Sequence, residues 1–276
     1  MIDPAERLEQ TELSLLLEGL HQHYGCDFRN YEPKSLLRRV RKRVEVEGLR
    51  SISELQAQAL HDPAAFERLL LGLTIGVTAL FRDPTFFAAF RTQVIPVLRT
   101  YPFARLWVAG CSTGEEVYSL AILLHEAGLY ERCRIYATDL ADVIVDRARA
   151  GIFPLTLIPE YSKNYMEAGG QENLLSYFGT DNQNAVISAA LKKNLCFSTH
   201  DLGSSASFNE FNVVCCRNVI IYFNPPLQAR VHELIYESLA PLGFLCLGSG
   251  ETVSFSPRDA EYNAMNEQER IYRRKR

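Results

Sequence analysis

The sequence has no hydrophobic run long enough to cross a lipid bilayer. Its longest apolar stretch, at positions 69–81, has 13 residues, whereas a membrane-spanning helix needs about 20. Neither charge is in strong excess, since 29 basic and 33 acidic residues leave a net charge of −4, which argues against bulk attraction to nucleic acid. The seven cysteines include no C-x-x-C pair, so a disulfide framework is not favoured. The N-terminal segment MIDPAERLEQTE is acidic and unlike a signal peptide. We therefore expect a cytoplasmic protein with reduced thiols and no direct insertion into a membrane.

Helical patterns fill the first part of the chain. Leucines at positions 13, 16, 17 and 20 recur at helical spacing. A second helix is expected to begin near Pro33, with residues 37, 40 and 44 on its buried face, and Ser51 or Ser53 is suited to cap a third. Asp62-Pro63 and Asp83-Pro84 each place a capping residue before a proline. We predict an all-α N-terminal domain over residues 1–85.

The pattern changes near residue 104, where short apolar strands begin to alternate with helices. Such alternation is typical of a parallel α/β sheet. Strands are predicted at 105–109, 134–138, 211–215 and 243–248, with an edge strand at 271–272, and helices at 114–127, 141–150 and 226–239. Residues 155–200 interrupt the alternation and include a polar turn at 179–184, which indicates an inserted antiparallel β-hairpin.

The stretch VAGCSTGEEVYS at residues 108–119 places a small-residue turn and two carboxylates between a strand and a helix. This is where doubly wound sheets bind nucleotides, but neither G-x-x-x-x-G-K-[ST] nor G-x-G-x-x-G is present. Carboxylates at a helix start repel a pyrophosphate and attract a cation. Asp139 ends the next strand, at a position that commonly binds both ribose hydroxyls. A nucleoside with a cationic, amino-acid-like arm fits both features, and S-adenosylmethionine is such a compound.

Two other interpretations of these residues stay open. Asp139 also lies where it can cap the helix that begins at Ala141. Cys111 and Cys216 are candidates for a nucleophile, but no histidine lies in either motif, and buried cysteines usually act as apolar fillers. A thiol reagent on Cys216 is nevertheless expected to block the pocket by crowding.

Four motifs together resemble the CheR family of bacterial chemoreceptor glutamate O-methyltransferases, which use S-adenosylmethionine. They are TALFR at 78–82, AGCSTGEE at 109–116, ATD at 137–139 and CRNVIIYF at 216–223. The resemblance extends over nearly the whole chain. It implies an α/β fold: a Rossmann-like methyltransferase domain with a mixed sheet over residues 86–276, an all-α N-terminal domain, and a small antiparallel β subdomain inserted at about 155–200.

The resemblance also implies roles for individual residues. Those expected to bind the cofactor are Thr78, Arg82, Gly110, Glu116, Asp139, Asp201, Leu202, Arg217 and Asn218. Glu116 resembles the glutamate that meets the amino end of the methionine arm, and Asp139 resembles the ribose ligand. Asp201 and Leu202 stand where relatives often have Asn-Leu beside the adenine. The chain departs from the family at Leu80, where a phenylalanine is usual, and at residues 249–251, where Ser-Gly-Glu replaces His-Ser-Glu.

The expected chemistry requires no general base, because a glutamate acceptor with an ordinary pKa of about 4.3 is already ionised at neutral pH. The protein then has to align the carboxylate oxygen with the methyl carbon and the sulfur, and to exclude water from them. We predict two catalytic residues: Arg82 to hold the acceptor carboxylate in a planar fork, and Tyr222 to orient the second oxygen or the cofactor arm. A salt bridge near Asp83 is the alternative for Arg82, and a buried core position is the alternative for Tyr222. No metal is expected.

A basic helix is the candidate partner surface. Lys34, Arg38, Arg41 and Lys42 are predicted to point outward and dock on an acidic helix, such as the cytoplasmic helical methylation region of a chemoreceptor. A merely solvated face is the alternative. The β-hairpin is a further candidate contact, by strand addition to a receptor's tethering peptide. The alternatives for the whole protein are an S-adenosylmethionine-binding regulatory adaptor that lacks turnover and a nicotinamide dehydrogenase, which the glycine spacing disfavours.

Overall fold

A computed structural model describes residues 3–74, 78–181, 183–254 and 256–276. By packing, the chain divides into two units. Unit 1 comprises residues 1–76 together with Tyr222–Leu227, and unit 2 comprises residues 77–221 and 228–276. The predicted boundary at residue 85 stays a prediction. The division falls earlier because most of the apolar side chains between Ala79 and Phe90 are buried in the core of unit 2.

Unit 1 contains the helices α1 (Pro4–Tyr24), α2 (Pro33–Val46), α3 (Ile52–His61) and α4 (Pro63–Thr74). The side chain of Asp3 accepts a hydrogen bond from the first turn of α1, and Ser51 does the same for α3. Ser51 rather than Ser53 is therefore the cap of α3. The all-α domain predicted for residues 1–85 includes positions 75–77, which lie outside the described residues.

The buried faces of these helices follow the leucine pattern, with one exception. Leu13, Leu16, Leu17 and Leu20 of α1 are all buried. On α2 the buried residues are Leu36 and Val40, whereas Leu37 is half-buried. Of the three residues predicted on the inner face of α2, only Val40 is buried, because Leu36 takes the place expected for Leu37 and Val44 is half-buried.

The segment Tyr222–Leu227 packs with unit 1, although its neighbours on both sides belong to unit 2. The backbone N–H of Glu32 donates to the carbonyl of Tyr222 at 2.7 Å, and that of Asn224 donates to Asn30 at 2.9 Å. The rings of Tyr31 and Phe223 pack edge to face. These contacts hold the segment along the start of α2.

Unit 2 is built on a mixed seven-stranded sheet with the order β6-β2-β1-β7-β8-β10-β9. The first five strands in this order are parallel, whereas β10 pairs antiparallel with both β8 and β9. Its strands are β1 (Ala104–Ala109), β2 (Cys133–Asp139), β6 (Leu195–Thr199), β7 (Phe211–Cys216), β8 (Leu239–Leu247), β9 (Tyr262–Asn266) and β10 (Ile271–Arg274). The helices are α5 (Pro84–Ala89), α6 (Ile95–Leu98), α7 (Glu115–Glu126), α8 (Asp142–Ala150), α9 (Ile158–Glu167), α10 (Ala189–Lys192) and α11 (Pro225–Ser238), the last beginning in the segment that packs with unit 1.

The inserted β subdomain is a three-stranded antiparallel sheet rather than a two-stranded hairpin. Its strands are β3 (Ile152–Pro154), β5 (Asn184–Ile187) and β4 (Phe178–Thr180), in that spatial order. The prediction for residues 155–200 was wrong at both ends, because β3 begins before residue 155 and β6 pairs with β2 in the main sheet. The polar turn predicted at 179–184 includes Asn182, which lies outside the described residues.

The predicted fold class agrees with this architecture: helices precede a mixed α/β sheet that carries a small antiparallel insertion. No helix in the described ranges combines the length and the apolar character that crossing a membrane requires.

Candidate functional site

The site is formed where three neighbouring parallel strands end. β1 lies between β2 and β7, so the residues that follow these strands meet at one edge of the sheet. The backbone N–H groups of Gly110 and Cys111 both donate to the carbonyl of Thr138 at 2.9 Å. These bonds tie the turn after β1 to the end of β2.

Gly110 is required by both conformation and space. Its φ of +75° is one that residues with a side chain rarely adopt. A Cβ atom at this position would lie 2.5 Å from Cγ2 of Val219. The turn after β1 and the loop after β7 can therefore approach this closely only with glycine at position 110.

Asp139 holds the turn after β1 through its carboxylate. Oδ2 accepts a hydrogen bond from the backbone N–H of Ser112 at 2.8 Å, and Oδ1 accepts one from Leu140 at 2.8 Å. Burial raises the pKa of this carboxyl, although the two backbone donors oppose the shift. The N-cap of α8 is Ala141, without a side-chain bond, so Asp139 does not cap this helix.

The side chains of the two adjacent glutamates at the start of α7 contact different parts of the protein. Glu115 is buried, with Oε2 accepting from the hydroxyl of Thr113 at 2.6 Å and Oε1 lying 3.5 Å from the hydroxyl of Tyr161. Burial raises its pKa. Glu116 instead lies beside Arg217 at the end of β7. Only Glu116 is therefore positioned at the strand ends, and Glu115 joins α7 to α9.

Arg217 bridges two carboxylates from inside the protein. Its side chain is 1% exposed; Nη1 donates to Oε2 of Glu116 at 2.7 Å and Nη2 donates to Oδ2 of Asp83 at 2.8 Å. The guanidinium lies 3.9 Å from the ring centre of Phe86, within range of a cation–π interaction. Asp83 was expected to cap α5, but its side chain makes no cap bond and forms the ion pair with Arg217 instead.

Burial is the main influence on the ionisation of Glu116 and raises its pKa. The positive charges of Arg217 and Arg82 act in the opposite direction. Arg82 itself is half-buried. Asp83 pairs with Arg217, and the role predicted for Arg82 stays a prediction.

Glu251 is a site residue that sequence reasoning missed. It is 4% exposed, and its carboxylate accepts hydrogen bonds from the backbone N–H groups of four residues: Asn218, Val219, Ile221 and Gly248. Two signals were available: the glutamate of Ser-Gly-Glu at 249–251 matches the glutamate of the family's His-Ser-Glu, and it lies just beyond the end of β8, next to β7 in the sheet. Asn218, in turn, adopts a left-handed φ of +58°.

The remaining predicted cofactor residues lie in unit 2, and their roles stay predictions. Thr78 is half-buried and Leu202 is buried. The carboxylate of Asp201 accepts from the backbone N–H of Gly203 at 2.8 Å and from the hydroxyl of Ser204 at 2.7 Å. Asp201 therefore shapes its own loop with both of its carboxylate oxygens.

Tyr222 lies in the segment that packs with unit 1. Its ring is half-buried, and the guanidinium of Arg39 lies 4.1 Å from the ring centre. This contact is a cation–π interaction. The catalytic role predicted for Tyr222 stays a prediction.

The cysteines of the two motifs are buried within the protein. Cys111 is 2% exposed and Cys216 is 0% exposed. Burial and the neighbouring carboxylates raise the pKa of both thiols, so thiolate is scarce at neutral pH. This agrees with packing rather than nucleophilic roles. Within the residues that the structure describes, no three His, Cys, Asp or Glu side chains are grouped to hold a metal ion.

The four predicted partner-binding residues of α2 are all exposed. Arg41 forms an ion pair with Glu9 while remaining 57% exposed. Lys34, Arg38 and Lys42 have no side-chain bond or ion pair to any described residue. Their positive charges therefore face solvent on one side of unit 1.

Comparisons with known proteins cover nearly the whole chain. Residues 76–269 match the family described as "CheR methyltransferase, SAM binding domain", and residues 11–74 match "CheR methyltransferase, all-alpha domain". Cher3 of Pseudomonas putida, a protein named only provisionally as a methyltransferase, is 44% identical over 98% of this chain and 99% of its own length. A chemotaxis protein methyltransferase of Listeria innocua is 28% identical over 88% of this chain and 90% of its own. Chemotaxis protein methyltransferase 1 of Pseudomonas aeruginosa is 29% identical over 79% and 82%, respectively.

Proposed function

The chain belongs to the CheR methyltransferase family, and from this premise we propose that it methylates glutamate side chains of chemoreceptors in chemosensory adaptation. The methyl donor in this proposal is S-adenosylmethionine, and the acceptor is the cytoplasmic helical methylation region of the receptor. The observation that carries the proposal is the placement of Glu116 and Asp139 at neighbouring strand ends, with Arg217 holding Glu116.

The carboxylates present suit the amino-acid and ribose parts of this donor. Glu116 offers a partly buried acidic group to an ammonium, and the hydrogen bond from Arg217 goes to its Oε2. Each oxygen of Asp139 accepts one backbone N–H, so lone pairs remain for two ribose hydroxyls. We assign the ammonium to Glu116 and the ribose to Asp139, with Asp201 and Leu202 beside the adenine.

The donor supplies an electrophilic sulfonium methyl group, and the residues of this chain supply position and a dry surrounding. Arg217 forms ion pairs with Asp83 and Glu116. We therefore assign it the role of orienting Glu116 and not that of holding the acceptor carboxylate. Arg82 remains the candidate for holding the acceptor carboxylate, because its fork of donors matches two oxygens. A glutamate acceptor is an anion at neutral pH, and no side chain is assigned as a base.

The basic face of α2 is the proposed contact with the receptor. Lys34, Arg38 and Lys42 present unpaired positive charges to solvent within the described part of the chain. Clustered glutamates on a receptor helix are complementary to such a surface, and charges of this kind act mainly on the rate of encounter and on specificity. A cytoplasmic place of action is part of this proposal, and a nucleic-acid partner is not.

A methyl-transfer assay with receptor cytoplasmic fragments tests the proposal. Radiolabel from the donor should enter the receptor and be released by alkali, because carboxyl methyl esters hydrolyse under those conditions. Binding of S-adenosylhomocysteine without any transfer to a panel of receptors would instead support the regulatory adaptor.

The partner surface is tested with the double variant Arg38→Glu/Lys42→Glu. The KM for the receptor should rise several-fold, less so at high salt, while the affinity for S-adenosylhomocysteine stays unchanged. Arg50→Glu is the matched control, because Arg50 is 91% exposed in unit 1 but lies outside α2. Equal effects of the double variant and the control would contradict the assignment of this face.

A further inference from the structure

The carboxylate of Glu251 organises the loop that follows β7. Oε2 accepts the backbone N–H of Asn218 at 2.8 Å and of Gly248 at 2.7 Å. Oε1 accepts that of Val219 at 2.8 Å and of Ile221 at 3.2 Å. Four backbone donors converge on one buried side chain, and no other side chain described in unit 2 receives as many.

The loop held in this way carries residues of the proposed cofactor site at both ends. Arg217, which orients Glu116, directly precedes Asn218, and Tyr222 directly follows Ile221. Asn218 adopts a left-handed φ of +58°, a conformation that costs free energy in a residue other than glycine and persists where the surroundings enforce it. The bond from its N–H to Glu251 is one such constraint.

We infer that Glu251 is a positioning residue for cofactor binding. It fixes the backbone of residues 218–221 so that Arg217 can hold Glu116 toward the ammonium of the methyl donor. This inference rests on the proposed assignment of Glu116 to that ammonium. Both carboxylate oxygens of Glu251 accept hydrogen bonds from backbone N–H groups. Glu251 therefore acts through the loop and not through contact with the cofactor.

A glutamine cannot replace Glu251 in this arrangement. Each carboxylate oxygen accepts two N–H groups, whereas a glutamine of the same shape has one oxygen and one NH2 group. In either orientation of the amide, two backbone N–H donors would face another donor. Leaving buried donors without acceptors is costly, so the loop should lose its fixed conformation.

Gly248 offers a second perturbation that keeps the charge. A Cβ atom at this position would lie 2.7 Å from the backbone nitrogen of Asn218 and 2.8 Å from Oε2 of Glu251. Gly248→Ala should therefore displace the carboxylate from the same donors. Agreement between the two variants would show that the geometry of the loop, rather than a negative charge alone, matters.

The test compares Glu251→Gln and Gly248→Ala with two control variants. Glu233→Gln removes a carboxylate of α11 that pairs with Arg258, and Leu234→Ala opens a cavity at the neighbouring buried position of the same helix. Affinity for S-adenosylhomocysteine is measured by calorimetry below the melting temperature of every variant. Hydrogen exchange of the peptide that spans residues 217–222 reports on the loop directly.

We expect the two loop variants to lose affinity by roughly ten-fold or more and to exchange faster at residues 217–222. Leu234→Ala should lower the melting temperature without either effect, and Glu233→Gln should change neither affinity nor loop exchange. If the wild-type chain binds and Glu251→Gln binds equally well, the positioning role is refuted. If the wild-type chain itself fails to bind, the proposed function fails instead. Equal losses of affinity in Leu234→Ala and Glu251→Gln would reduce the role of Glu251 to general stability.

Discussion

Replacement of Arg217 by methionine is the most direct test of the proposed site. Methionine approximates the length of the arginine stem and can pack on Phe86, but it removes the cation between Asp83 and Glu116. Breaking a buried ion pair by removing one partner costs about 3–5 kcal/mol, because the other charge is left uncompensated. The side chain of Asp83 is 38% exposed and that of Glu116 18%, so water can partly resolvate both carboxylates. We therefore expect the lower end of this range, about 3 kcal/mol.

The same substitution should change the ionisation of Glu116. Arg217 at present opposes the rise that burial causes in the pKa of Glu116. Without it the pKa should rise further, so that a larger fraction of Glu116 is protonated and neutral at neutral pH. The proposed contact with an ammonium would then be weakened, and the loss of affinity for S-adenosylhomocysteine should diminish as the pH is raised.

Urea denaturation and calorimetry at a series of pH values measure both effects. Arg258→Met is the matched control, because Arg258 also pairs with a glutamate and lies over a tyrosine ring but is more exposed. It should have a much smaller effect on stability and none on ligand affinity. An Arg217→Met variant that matched the wild type in both measurements would refute the reasoning, since Arg217 would then hold neither the fold nor Glu116.

Other predictions follow from particular residues of the same site. Gly110→Ala should destabilise the protein and weaken binding of S-adenosylhomocysteine in calorimetry, because its Cβ would meet Val219. Gly128→Ala, with φ of +68° but open space, isolates the conformational cost of about 1–2 kcal/mol; equal effects of the two substitutions would rule out the clash. Burial raises the pKa of Glu116, so the native state binds this proton more tightly than the unfolded chain. Its contribution to the free energy of unfolding should decline as pH rises above the ordinary value of about 4.3, while affinity for the ligand's ammonium increases. Glu116→Gln should flatten both trends, and an unchanged pH profile in that variant would contradict the assignment. Cys216 should resist thiol reagents in the folded protein, since it is buried with a raised pKa, and react in denaturant; rapid labelling of native Cys216, followed by mass spectrometry, would argue against this. That expectation replaces the idea that a reagent on Cys216 crowds the pocket.

The parts of the fold that could be predicted are those in which local pattern and burial agree. β1 and α7 have continuous apolar runs with a glycine turn between them, and their bounds were close to those observed. β6 was assigned to the insertion because Leu195–Thr199 mixes polar and apolar residues, as befits an edge strand whose residues are at most half-buried. β9 was missed for a similar reason, since Tyr262 is its one buried residue.

Within the site, single residues at strand ends were predictable, but their partners were not. Glu116 and Asp139 follow recognisable motifs and lie where expected. The bonds from Arg217 to Asp83 and from Asn218 to Glu251 join positions 134 and 33 residues apart in the chain. Nothing local in the sequence marks such pairs, because they depend on which strands become neighbours in the sheet. The direction of Glu115 was equally hidden, since adjacent residues on a helix differ in facing by about 100°.

The packing of Tyr222–Leu227 with the helices of unit 1 has a practical consequence for the design of truncated forms of this protein. A truncated chain that starts after residue 76 would keep these six residues but delete the Asn30 and Glu32 backbone groups that hold them. The first turn of α11, which begins at Pro225, would lose its anchorage as well. Fragments and chimaeras should therefore exchange the helices and this hexapeptide together, as one transplantable piece made of two separate stretches of sequence.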